Sequence, residues 1–133
     1  MRRRMQTAAF GFAAVLCLAL SFSCGSDNGP RVDTRIRVER FRFFPNQVDV
    51  RPGTRVRWVN VERRANDATF SVTSGTGPDD PEAGALFDRT LLGAPQGEPE
   101  GDDFIYKFDE RGTFFYFSRL PEGGEFMGRV TVR

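Results

Sequence analysis

The sequence predicts an all-β fold, an antiparallel sandwich of short strands. Three observations carry that expectation. Apolar and polar residues alternate with period two in run after run, as in "TRIRV", "QVDV" and "TRVRWVN". Pro, Gly and Asn interrupt those runs at short intervals, and no stretch after the first thirty residues shows a helical period. Phe is abundant, 14 of 133 residues, and Phe both favours strands and fills cores.

Taken in order, the first run puts Ile36 and Val38 on one face, with Arg35, Arg37 and Glu39 on the other. Phe41 and Phe43 then follow in the opposite phase, which a β-bulge would reconcile. Pro45 stops the strand because it cannot donate to a ladder. "QVDVRPGTRVRWVN" reads as strand, Pro52-Gly53 turn, strand, with Val56 and Trp58 sharing a buried face. "ATFSVTS" is a further strand. Residues 76–103 form a Gly-, Pro- and acid-rich loop in which only 83–92 is apolar enough to pack. "FIYKF" aligns Phe104, Tyr106 and Phe108 on one face; a turn at 109–112 leads into "TFFYF", and "GRVTVR" closes the chain. Six to eight short strands result, with no internal repeat.

The amino-terminal region reads differently. Arg2, Arg3 and Arg4 precede an apolar run, Ala8 to Leu20, of signal-peptide length and too short to span a membrane comfortably. "LSFSC" resembles a bacterial lipoprotein cleavage box, departing from it at Ser21, where the usual box has Leu. Residues 1–23 are thus expected to be a signal peptide, 24–31 a polar tether and 32–133 the folded domain. Cys24 becomes the lipidated first residue, or, under a plain secretory signal, a small residue without that role. The expected location is exported: the cell envelope, anchored by lipid on Cys24 to a bacterial membrane.

Several chemistries are then short of ligands or bases. Cys17 and Cys24 are the two cysteines, so the domain itself has no thiol; the chain has no His, and Met127 is the one Met beyond the signal. Removing the three signal arginines takes 19 basic residues to 16 against 18 acidic, a balance that argues against nucleic acid. Ten of the 16 lie between Arg31 and Arg64, and eight acids lie between Asp79 and Asp103. Solvated strand faces and an acidic loop explain this, as does a docking patch. No enzyme is expected. Asp79-Asp80 and Asp102-Asp103 are adjacent pairs, whose side chains diverge on a strand. Ser118 has no His base and no nucleophile elbow. The acidic loop lacks EF-hand spacing, and its glycines lack a phosphate-loop pattern.

The ordered set "FFPNQVDVRPGTRVRWVN", "TFSVTSG", "ALFDRTLL", "FIYKFDERGTFFYF" and "MGRVTV" resembles the plastocyanin-like cupredoxins, from about Val32 to Val132. The resemblance implies a Greek-key β-sandwich with copper at one end, held by a His and by a Cys-x-x-His-x-x-x-x-Met loop before the last strand. Such a site needs a thiolate, two imidazoles and a weak thioether. Carried over position by position, the first His falls at Phe70, the Cys at Ser118, the second His at Pro121 and the Met at Phe126. The spacing is kept and all four ligands are gone. Sliding by one brings Met127 to the axial place but supplies neither Cys nor His.

The expectation is therefore a domain without copper, acting as a binding or structural module toward an unknown protein partner in the envelope. The alternative, from the resemblance alone, is a copper protein of electron transfer. Two readings of the replacements stand. Either the old site became core, each large side chain adding roughly 2 kcal/mol, or Phe70, Phe117, Pro121 and Phe126 form an apolar partner patch. Phe126→Asp separates them: the patch reading expects lost partner capture with the fold intact, the core reading lost folding.

Overall fold

The structure is a computed structural model that describes residues 34–63, 68–121 and 125–133. The expected signal peptide, Cys24, the whole tether and the first two residues of the expected domain lie outside the described residues. Nine strands stand among those described: β1 Thr34–Glu39, β2 Arg42–Phe44, β3 Gln47–Val50, β4 Thr54–Asn60, β5 Thr69–Ser74, β6 Asp88–Leu92, β7 Asp103–Phe108, β8 Gly112–Ser118 and β9 Phe126–Val132. They form two sheets, ordered β2-β1-β4-β7 and β3-β9-β8-β5-β6.

The all-β expectation holds, but the sheets are mixed. β1 runs parallel to β4, and β3 parallel to β9. A strand followed by a short turn reads like an antiparallel hairpin. Here the Pro52-Gly53 turn carries the chain from one sheet to the other, so β3 and β4 never pair. Gly53 takes a φ of 90°, the left-handed region where a Cβ is penalised.

The phase switch after Val38 also differs from expectation. No bulge forms. Arg40 and Phe41 make a two-residue turn with φ of 48° and 57°, and Val38 pairs with Phe43 across it. Both face inward because they are opposite partners of one hairpin, which produces the same change of phase as an inserted residue. A second element escaped the sequence pattern: Asp88–Leu92 is a strand whose exposed residues outnumber its single buried one, Leu91.

The core fills the space between the sheets. Trp58 is its hub, with ring centroids 5.2 Å from Tyr116, 5.6 Å from Phe87 and 5.8 Å from Phe104. Phe104, Tyr106 and Phe108 do share the inner face of β7, as the alternation requires. Gly128 is obligatory on β9, since a Cβ there would lie 2.3 Å from the Tyr116 hydroxyl oxygen.

Candidate functional site

The end of the sandwich near the start of β5 and the end of β8 gathers most of the residues singled out above. β5 brings Phe70 into the interior, 2% exposed. β9 opens with Phe126, half-buried, whose ring lies 5.5 Å from Phe70 and 4.7 Å from Phe43. Phe41 leans edge-on against Phe70 at 5.7 Å from the β1–β2 turn and stays 58% exposed. Four rings thus close this end, held by dispersion and by edge-to-face contacts worth about 1 kcal/mol each.

Ser118 is fully buried beside them and fully engaged. Its Oγ accepts the Ser71 backbone N–H at 2.8 Å, and its hydroxyl donates to the Leu120 carbonyl at 2.7 Å. The chain of hydroxyls continues outward. The Arg119 N–H donates to Ser71 Oγ at 2.8 Å, Ser71 and Thr73 hydroxyls lie 3.1 Å apart, and Thr73 donates to Asp88 Oδ1 at 2.8 Å. Asp88 faces the Arg119 guanidinium at 3.4 Å. The network pins the chain leaving β8 to β5 and β6. Every hydroxyl in it has a partner, as burial demands.

Asn60, at the end of β4, anchors the other side. Its buried amide donates to the Ala68 and Leu91 carbonyls at 2.8 and 2.9 Å, and its Oδ1 accepts the Glu62 N–H at 3.0 Å. That fixes where β5 begins and so where Phe70 points. The sequence signal for this role is faint: one Asn ending an apolar strand.

The four residues expected to make a partner patch are divided by the structure. Phe70 and Phe126 meet at the ring cluster. Pro121 is exposed beyond β8. Phe117 alternates to the outer face of β8, away from the cluster, yet is fully buried with the Arg119 guanidinium 5.9 Å from its ring. The large exposed rings near this end are instead Phe41 and Phe44, which the sequence marked only as strand and strand end. A carboxylate placed by Phe126→Asp would sit between Phe43 and Phe70, so its expected effect is lost stability.

Copper, which the fold brings to mind, does not fit these side chains. Phe70 and Phe126 offer carbon only, and Pro121 has no donor side chain. Ser118 donates its one proton to Leu120 and accepts the Ser71 N–H, and what it keeps is a neutral hydroxyl lone pair, a poor ligand for a soft cation. A hydroxyl does not ionise at neutral pH in place of a thiolate. Among the described residues no group of three or more His, Cys, Asp or Glu side chains could hold a metal ion.

Electrostatics elsewhere are modest. The basic and acidic blocks of the sequence meet on the outer face of the β1–β4–β7 layer. Glu100 pairs with Arg35 at 2.5 Å and with Arg57 at 3.0 Å, and Arg57 reaches Asp103 at 2.7 Å. The Asp103 hydrogen bond is the main cause that raises the Arg57 guanidinium above its ordinary value. Thr76 and Glu82 backbone N–H groups hold the Asp80 carboxyl below its usual range.

The chain matches no family model. It is similar to a plastocyanin of Scenedesmus fuscus, 32% identical over 94 residues that cover 68% of this chain and 86% of that protein. Among solved structures it resembles a purple cupredoxin from Nitrosopumilus maritimus, with a TM-score of 0.58 and 21% identity over 76% of this chain and 100% of that one. It also resembles amicyanin from Paracoccus versutus, at 0.55 and 20% over 80% and 86%. The oxidised plastocyanin of Dryopteris crassirhizoma superposes at 0.54 and 19% over 74% and 99%. At these identities the structures speak for the fold, and the Scenedesmus relative carries the lineage. The chain belongs to the plastocyanin-like cupredoxin family.

Proposed function

We propose that this chain is a cupredoxin that works without copper, as a binding or structural module of the cell envelope. The single observation that supports the reading is the state of the cysteine position. A buried Ser118 stands there, donating one hydrogen bond and accepting another within the protein, behind rings at two further ligand positions. Exchanging thiolate and imidazole for hydroxyl and phenyl removes the strong ligands and leaves Met127, a weak thioether, without them. It also leaves Ser118 itself hydrogen-bonded rather than stranded beside those rings. The role that remains is contact, not electron transfer, and we assign the domain no reaction. The basic, apolar leader and "LSFSC" support export and lipid attachment at Cys24 to a bacterial membrane, with a protein of the envelope as partner.

Family membership favours a second reading, a copper protein of electron transfer. One experiment separates the two. The purified protein is loaded with excess copper, desalted, and measured for bound metal and visible absorption. The expected result is a colourless protein with metal well below one equivalent. One tightly held copper with an intense visible band would return the chain to electron transfer. A companion measurement on the secreted chain settles the anchor: mass spectrometry should find diacylglyceryl on Cys24, and Cys24→Ala should release the protein from membranes.

A further inference from the structure

The β1–β2 hairpin carries a chemistry that the copper-free reading does not use. Its sequence, Arg37 to Phe44, is "RVERFRFF". Val38 and Phe43 point into the core. The remaining aromatic residues do not: Phe41 is 58% and Phe44 50% exposed. Arg40 and Arg42 are exposed between them, and among the described residues neither has an ion-pair or ring partner. Arg37 lies over the Phe44 ring at 5.0 Å and reaches Glu39, the one acid of the hairpin, at 3.5 Å. β2 is also the edge of its sheet, so its free edge pairs with no other strand among the described residues.

We infer that this hairpin docks on an anionic phospholipid surface. Two guanidiniums beside two half-exposed rings call for anionic oxygens directly above an apolar layer, which is the order of groups at a lipid headgroup boundary. Guanidinium binds phosphate through paired donors. The shape favours lipid over a protein partner. The two rings together expose roughly 200 Å², against the ~800 Å² that one side of a stable protein interface buries. They project from a two-residue turn, a convex feature that a fluid surface can envelop and a rigid partner cannot cover widely. The turn itself supports retention for contact. Arg40 and Phe41 both hold left-handed backbone that side chains disfavour, and that conformation keeps Phe41 on the tip. The inference stands whether or not the domain binds copper.

The test uses the full chain in vesicles, with Phe41→Trp as reporter. The native Trp58 is fully buried and gives a constant background. Vesicles contain brominated phosphatidylglycerol or brominated phosphatidylcholine. Quenching of the Phe41→Trp signal is expected with the anionic lipid and not with the zwitterionic one. Adding Arg40→Gln and Arg42→Gln should weaken the hairpin's partition about thirtyfold and abolish the quenching. Leu86→Trp is the control, since Leu86 is exposed beside Ser74, at the far end of β5 from Phe70. Equal quenching at Leu86, equal quenching in both lipids, or none in either overturns the inference. So does shielding of the reporter by polyglutamate with no response to lipid, which would give the hairpin to an acidic protein.

Discussion

Tyr116 and Ser118 lie two positions apart on the inner face of β8, and burial treats them differently. The Ser118 hydroxyl is satisfied twice, so Ser118→Ala strands the Ser71 N–H and the Leu120 carbonyl. Urea denaturation should show a loss of about 1–3 kcal/mol, the cost of unpaired buried groups. The Tyr116 hydroxyl and the Trp58 indole nitrogen are buried without a partner at hydrogen-bond geometry among the described residues. Burial pushes the Tyr116 phenol well above its ordinary value, with the Trp58 indole opposing. The unfolded chain therefore ionises this tyrosine first, near pH 10. Stability from this group is fully present below that pH and is lost as pH rises toward the folded value. Tyr116→Phe should be within about 1 kcal/mol of the parent at pH 7. It should also lose less stability than the parent between pH 10 and 11.5, read from urea midpoints. Phe126→Asp should lower the thermal midpoint sharply, because the carboxylate replaces a ring between Phe43 and Phe70. Unchanged folding would mean that the ring cluster contributes little.

The β1–β2 hairpin shows how one element can satisfy pattern and strain together. Its inward pair, Val38 and Phe43, is in register across a two-residue turn. Both turn residues have positive φ, the mirror-image turn that suits strand twist and favours Asn-Gly. Arg and Phe there cost about 1 kcal/mol or more each. Arg40→Asn, which tolerates that backbone, should therefore stabilise the protein by about 0.5–1 kcal/mol in thermal or urea unfolding. The sequence could show that phase changes after Val38, but a bulge and a tight turn shift phase alike. Distinguishing them requires knowing that β2 returns along β1. β6 is a comparable case. Only Leu91 is buried in it, so no period-two signal exists, and the strand forms because β5 offers it an edge.

The whole molecule brings together charges that the chain keeps far apart. Arg35 and Arg57 come from the basic block and Glu100 and Asp103 from the acidic one, and they join across 43 to 65 positions. These pairs are partly exposed, so each contributes little. Glu100→Gln should cost under about 1 kcal/mol at low salt, and the difference should vanish near 1 M salt. A larger, salt-independent loss would mark Glu100 as part of the packing. What could be read along the chain was local: alternation set most strands and their buried faces, turn residues set the breaks, and missing His and Cys removed the usual ligands. Those signals lie within a few residues of one another, and their physics is that of sterics, side-chain period and donor chemistry. Which strands pair in parallel, that Phe117 turns away from Phe70, and that Phe41 covers it were decided by contacts between distant segments. Asn60 and Ser118 likewise gain their roles only when β5, β6 and β8 meet, because a hydrogen-bond partner is specified by position in space and leaves no mark on the residues beside it in sequence.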